Sequence, residues 1–315
     1  MLHRRRRRIR RQVTRFFLLL FFIIGLIYFF LVMYILPKDT KRVLNASTSP
    51  TSKITPTSFS KNTQLDEVVS SELDGTKGTY GIVVKDLATG ESYSRNPQKS
   101  FESASLYKLW IMAVVFEKVE KGDLELNTVL SQDVKVLNEK FKIASESAER
   151  SEGKITLSVE NALFNMITFS DNYAALLLTE KIRLSSVTTF LDEQGFEDSK
   201  VGTSGNNPTT TPSDMALFLE RLYRGDLVSE SASKEMLELL KQQRLNNKLP
   251  LNLPDSTVVA HKTGELGDFT HDAGIVYTTS PYIIVAMSES SDPLAAEGRI
   301  ADVSTAVYKY FTVEK

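Results

Sequence analysis

The segment Leu109–Phe116 reads Leu-Trp-Ile-Met-Ala-Val-Val-Phe and contains no polar residue. A helix without a polar face belongs inside a core, so the rest of the fold has to be built round this stretch. Ahead of it, Phe101-Glu-Ser-Ala-Ser-Leu-Tyr-Lys108 reads as a loop that turns into the helix. Ser105 and Lys108 are three residues apart and so project from one helix face. The Ser105 N–H falls in the first turn, where backbone amides have no internal partner and the positive end of the helix dipole points. A lysine in apolar surroundings loses hydration, which pushes it towards its neutral, proton-accepting form. An activated serine nucleophile can be assembled this way without histidine. The same Ser-x-x-Lys spacing recurs at Ser58/Lys61, Ser151/Lys154 and Ser231/Lys234, in polar stretches. The pattern alone therefore decides nothing; the buried helix behind it singles out Ser105.

Composition removes several other chemistries. The 315 residues contain no cysteine, which excludes disulfides, thiolate nucleophiles and cysteine-bound metals. The three histidines, His3, His261 and His271, form no zinc-type pattern, and nothing in the sequence calls for a cofactor. Formal net charge is −1, but Arg4–Arg8, Arg10, Arg11 and Arg15 concentrate eight positive charges at the start. Setting those eight apart from the 38 basic residues leaves 30 against 39 acidic, a balance of −9. A body that acidic is a poor partner for nucleic acid.

Residues 1–15 read as a cytoplasmic basic segment. Phe16–Leu36 is uncharged and apolar, and at ~1.5 Å per residue a helix of this length spans about 30 Å, the depth of a bilayer core. The arginines before it predict a cytoplasmic N-terminus and export of the chain beyond Leu36. The run is longer than the apolar region of a cleaved signal peptide, so an uncleaved signal-anchor is expected. Residues 37–64, rich in serine and threonine and without apolar periodicity, read as a disordered tether.

Residues 65–315 read as one α+β folded body. A helix over 62–73, with Leu65, Val68, Val69 and Leu73 on one face, precedes strands at 79–86 and 91–95. Helical runs follow at 158–167 and 173–182, then one capped by Ser185 or Ser186 and ending near Gly195, then one from Pro212 to Gly225. Strands return at 257–263, 270–278 and 282–287. A last helix opens at Asp292-Pro293, with Leu294, Ile300, Val303, Val307 and Phe311 on its face. Early and late strands must share one antiparallel sheet covered by the terminal helices. The expected lobes are a sheet lobe, 65–103 with 251–315, and an all-helical lobe, 104–250, with the site in the cleft between them.

Two more clusters interrupt this pattern. Ser170-Asp171-Asn172 breaks a strongly helical region; its plain alternative is a helix N-cap, since all three residue types cap well. His261-Lys262-Thr263-Gly264 ends a strand, and a glycine there often marks a ligand close to the backbone. Its plain alternative is an edge strand protected by a lysine.

In order, Ser105-Leu-Tyr-Lys108, Ser170-Asp-Asn172 and Lys262-Thr-Gly264 resemble the signature of class A β-lactamases and penicillin-binding proteins. The resemblance extends over nearly all of 66–315, including Pro212-Ser-Asp-Met215 and His271-Asp-Ala-Gly274. It implies that Ser105 attacks a carbonyl and is acylated, that Lys108 takes or relays its proton, and that Ser170, assisted by Lys262, protonates the leaving nitrogen. It further implies that Asn172 holds a substrate amide, that Lys262 and Thr263 bind its carboxylate, and that the N–H groups of Ser105 and Glu265 form the oxyanion hole. The implied substrate is a β-lactam or a peptidoglycan stem-peptide-like amide, met outside a bacterial cell membrane.

One departure matters. Class A β-lactamases carry Glu-x-x-Leu-Asn on an omega loop, and that glutamate activates the deacylating water. Here the matching stretch, residues 201–212, has no acid and looks shortened; Glu197 lies just before it, outside any such motif. The expectation is a membrane-anchored serine hydrolase with intact acylation and slow deacylation. A D-Ala-D-Ala carboxypeptidase or transpeptidase is the alternative within the same reading, and a non-catalytic wall-binding module is one outside it. Glu265 adds a further expectation, of negative charge near the carboxylate pocket.

Overall fold

A computed structural model describes residues 63–203 and 206–312. All of them belong to one compact unit. The expected basic segment, membrane span and nearly all of the tether lie outside the described residues; Thr63 and Gln64, placed in the tether, are already helical. Among the described residues no helix is long and apolar enough to cross a membrane.

In chain order the elements are α1 (Thr63–Leu73), β1 (Thr79–Asp86), β2 (Ser92–Arg95), β3 (Phe101–Glu102), a 3₁₀ turn (Ala104–Tyr107) and α2 (Lys108–Glu120). Next come β4 (Val129–Asp133), α3 (Val134–Lys140), β5 (Lys154–Ser158), α4 (Val159–Thr168), α5 (Asn172–Ile182) and α6 (Leu184–Glu193). The chain finishes with β6 (Thr209–Thr210), α7 (Pro212–Arg224), α8 (Glu230–Leu240), β7 (Val258–Leu266), β8 (Phe269–Tyr277), β9 (Tyr282–Glu289) and α9 (Pro293–Thr312).

Five strands form an antiparallel sheet in the order β2-β1-β9-β8-β7, so the first and last strands do meet: Val83 of β1 pairs with Val285 of β9. Strand alternation divides their apolar residues between two cores. Ile82, Val84, Tyr282, Ile284 and Ala286 face a layer made by α1 and α9, with Leu65, Val69, Ile300, Val303 and Val307. Val83, Ile283, Val285 and Met287 face the helical lobe. Both faces are covered, which is why β9 reads as an unbroken apolar run.

The residues from Lys108 to Phe116 are all buried, and α2 is the central helix of that lobe, as its lack of a polar face required. Gly81 marks where α7 lands on the sheet: a Cβ there would lie 2.6 Å from Pro212 Cγ and 2.8 Å from Phe101 Cε2.

Several expectations are corrected. The helix after Arg183 is not capped by Ser185 or Ser186; Arg183, with φ 70°, turns the chain sharply into α6. Leu294 is 79% exposed, because at about 100° per residue it lies on the face opposite Ala296 and Val303, which are buried. The pairing of β4 with β5 across α3, and the helices α3 and α8, were not expected from the sequence: β4, β5 and α3 are short, and α8 is charge-rich.

Candidate active site

Ser105 lies in the 3₁₀ turn and Lys108 is the first residue of α2. In a 3₁₀ turn residues i and i+3 eclipse, so the two side chains share a side more strictly than in an α-helix. Ala104 enters the turn with φ 44°. Such a backbone is costly for a residue with a Cβ and persists only where surrounding structure fixes it. The fixing contacts are visible. The Ser103 N–H donates to Pro208 O at 2.8 Å, β3 pairs with β6, and His271 Nε2 lies 2.8 Å from Glu102 O. The Ser288 N–H donates to His271 Nδ1, so the imidazole is the neutral Nε2–H tautomer and donates to Glu102 O. Burial holds His271 down to about 4, which keeps it in that form.

Lys108 has no exposed surface. Burial lowers it from 10.5 to about 8, against the opposing pull of Asp171 and Glu149. Its Nζ donates to Ser170 O at 2.5 Å, to Asn172 Oδ1 at 2.6 Å and to Ser170 Oγ at 3.2 Å. Ser170, at φ 58°, is the second strained residue of the site. The capping alternative is also true: Asp171 accepts from the Ala174 N–H at 2.7 Å and starts α5. The cap turns the backbone so that Ser170 and Asn172 both face Lys108.

Lys262 is fully buried, which removes the reading of a solvated lysine guarding an edge, although β7 is the edge strand. Its Nζ donates to Ser170 Oγ at 2.9 Å and to Thr263 O at 2.8 Å. Burial, and next the charge of Lys108, hold Lys262 well below the usual lysine range. Gly264 serves a close approach, though by the chain itself rather than by a ligand. A Cβ there would meet Ala104 Cβ and Ser103 O at 3.2 Å and Ser105 N at 3.3 Å. Strand β7 thus lies against the Ser105 amide, and the next residue, Glu265, comes beside it.

The expected excess of negative charge at Glu265 is corrected: its carboxylate pairs at 2.6 Å with Lys248, whose side chain is wholly buried. Lys248 went unrecognised because it sits in a short turn with no motif around it. Two acids were also missed. Glu102 accepts from Asn207 Nδ2 at 2.8 Å, so it, not Glu197, faces the 201–212 segment. Glu197 is exposed, and its backbone carbonyl accepts from Lys200 Nζ. Glu149, in an exposed loop, accepts from Asn172 Nδ2 at 2.5 Å. Among the described residues, no cluster of histidine and carboxylate side chains is arranged to hold a metal ion.

Ser105, Lys108, Ser170, Asn172, Lys262, Thr263, Gly264 and Glu265 are therefore brought together by the 3₁₀ turn, the start of α5 and β7. A profile described as "Beta-lactamase enzyme family" matches residues 62–311. The beta-lactamase AER-1 of Aeromonas hydrophila is 26% identical over 225 residues, 68% of this chain and 73% of that protein. The extended-spectrum beta-lactamase PER-1 of Pseudomonas aeruginosa is 25% identical over 269 residues, 78% and 87% of the two chains. The structure of PBP-A superposes with a TM-score of 0.69 at 22% identity, covering 79% of this chain and 96% of its own.

Proposed function

We propose that this chain, which belongs to the β-lactamase enzyme family, opens β-lactam or related amide bonds through an acyl-enzyme on Ser105. The observation that carries the reading is the double occupancy of Ser170 Oγ, 2.9 Å from Lys262 Nζ and 3.2 Å from Lys108 Nζ. A hydroxyl has two lone pairs and one proton. Once Lys108 has taken a proton and carries three N–H donors, both lone pairs accept from lysines, and the hydroxyl proton is left to point at a substrate nitrogen.

Proton flow then balances. Neutral Lys108 has two N–H donors and one lone pair. Its two short contacts, to Ser170 O and Asn172 Oδ1, can hold the donors. The lone pair is then free to take the Ser105 proton as Ser105 Oγ bonds to the carbonyl carbon. The oxyanion forms between the N–H groups of Ser105 and Glu265, a placement worth several kcal/mol in acyl transfer. When the C–N bond breaks, Ser170 gives its proton to nitrogen and regains one from Lys108. Lys262 and Thr263 receive the substrate carboxylate, and Lys248 behind them holds the Glu265 carboxylate away as an ion pair.

Deacylation is slow in this reading, because residues 201–212 supply no carboxylate to activate a water. That absence also favours the second reading, a D-Ala-D-Ala peptidase of the penicillin-binding kind, which stays acylated by β-lactams. Phe16–Leu36 with its preceding arginines supports a membrane anchor holding the body outside the cytoplasm. The test is intact mass after exposure to benzylpenicillin, followed in time beside nitrocefin turnover. A long-lived adduct that Ser105→Ala abolishes, and that Ser151→Ala and Ser231→Ala leave intact, is expected. Labelling that survives Ser105→Ala sinks the reading. Fast turnover that collapses in Glu102→Gln or Glu197→Gln would show a relocated base and remove slow deacylation.

A further inference from the structure

Glu149 lies in the loop between α3 and β5, outside every motif, yet its position is built. The next residue, Arg150, is clamped by its backbone: the Arg150 N–H donates to Tyr173 Oη at 3.1 Å, and Arg150 O accepts from Tyr173 Oη at 2.8 Å and from Asn138 Nδ2 at 2.9 Å. Tyr173 is buried and directly follows Asn172 in α5. The clamp therefore fixes the loop against the residue that Glu149 touches. From there Glu149 Oε1 accepts from Asn172 Nδ2 at 2.5 Å, while Asn172 Oδ1 accepts from Lys108 Nζ. The charge of Glu149 also bears on Lys108 and on Tyr107.

An amide NH₂ has two donors. If one serves Glu149, the other remains for the substrate carbonyl that the acyl-enzyme reading assigns to Asn172. Two acceptors on the hydrogens of one NH₂ stand roughly 5 Å apart at ordinary hydrogen-bond lengths. A substituent on the carbon next to that carbonyl then lies within hydrogen-bond reach of the Glu149 carboxylate. We propose that Glu149 is a specificity-determining residue that selects acyl donors bearing an ammonium group on the carbon next to the amide carbonyl, and disfavours those bearing a carboxylate there. The inference rests on the acyl-enzyme reading and deepens it, by naming the charge of the preferred acyl group.

Glu149 is exposed, so the effect is that of a solvated ion pair, about two- to fivefold for each charge and about tenfold between opposite charges. Three penicillins on one phenylacetyl frame isolate it: ampicillin with an α-ammonium, benzylpenicillin with none, carbenicillin with an α-carboxylate. Second-order acylation rates of the full-length protein are measured at about pH 6.5, below the usual range of an α-amino group. Wild type should acylate in the order ampicillin, benzylpenicillin, carbenicillin. Glu149→Gln should shrink the ammonium-to-carboxylate span to under about twofold, and Glu149→Lys should invert the order; a residue that only supported the loop would slow all three alike. Added salt should narrow the wild-type span. Acylation with ratios that Glu149→Gln leaves unmoved overturns this inference alone, whereas wild type that none of the three acylates overturns the acyl-enzyme reading and this inference with it.

Discussion

Lys108 carries two opposed demands, and the conflict between them can be measured. The chain holds it at about 8 instead of 10.5 by burial. At about 1.4 kcal/mol per pH unit, the ammonium form costs the fold about 3 kcal/mol near pH 7. The sign follows from linkage: between about pH 8 and pH 10.5 the unfolded chain binds a proton that the folded chain does not, so stability rises with pH there. By about pH 10 the penalty falls below about 1 kcal/mol. Lys108→Met keeps most of the stem volume and removes the titration. It also takes a donor from Ser170 O and Asn172 Oδ1, at about 1–3 kcal/mol each where no water replaces it. Both residues are half-buried, so water can, and that cost does not vary with pH. Urea unfolding followed by Trp110, the sole tryptophan and a buried one, should therefore show wild type gaining about 2–3 kcal/mol on the variant between about pH 7 and pH 10. In wild type, acylation should rise about tenfold from pH 7 to pH 9, since about a tenth of Lys108 is neutral at pH 7. A stability difference that stays constant with pH, or a flat acylation profile, would refute the reasoning.

Lys248 and Glu265 should respond unequally to loss of their partner. Lys248 is wholly buried while Glu265 is 54% exposed, so Glu265→Gln strands a buried cation and should cost about 3 kcal/mol. Lys248→Met leaves a carboxylate that water can take and should cost under about 1 kcal/mol; urea midpoints in the reverse order would contradict this. His271 is held down to about 4 from 6.5, so its contribution is complete above about pH 6.5 and is lost as pH falls towards about 4, some 3 kcal/mol in all. Acid unfolding of wild type should be steeper than that of His271→Asn over this range, and parallel curves would remove His271 as the cause.

What could be read from the sequence divides along a physical line. α2 and β9 were legible because full burial leaves an unbroken apolar run. Ser105, Lys108, Ser170 and Lys262 were legible because three short patterns, none decisive alone, occur together in the order that the family resemblance carries. Glu149, Glu102 and Lys248 were not. Each is polar, lies in a loop, a turn or a very short strand, and reaches the site through contacts made only by the folded chain: Tyr173 against Arg150, Asn207 against Glu102, β7 against the turn that carries Lys248. Gly264 was legible as a point of close approach, but not the identity of what approaches. Leu294 failed for the opposite reason. It is apolar but lies off the buried stripe of α9, which begins at Ala296 in the same turn.

The two lysines on Ser170 raise the question of which one is the base. Burial holds both lysines below the ordinary lysine value, so protonation alone does not choose between them. Geometry chooses Lys108. Lys262 Nζ reaches Ser170 Oγ and its neighbour's carbonyl, whereas Lys108 stands three residues from Ser105 across a 3₁₀ turn that eclipses the two. In the proposed reaction, the substrate's carboxylate brings a negative charge to Lys262 and favours its ammonium form. That new positive charge, sharing one hydroxyl with Lys108, pushes Lys108 further towards neutrality. Binding of an anionic substrate thus assigns the roles: Lys262 becomes the cation that anchors the carboxylate and polarises Ser170, and Lys108 becomes the free amine. The rise of about tenfold expected between about pH 7 and pH 9 therefore belongs to the second-order rate, which reports Lys108 in the free chain; in the complex Lys108 is neutral at lower pH.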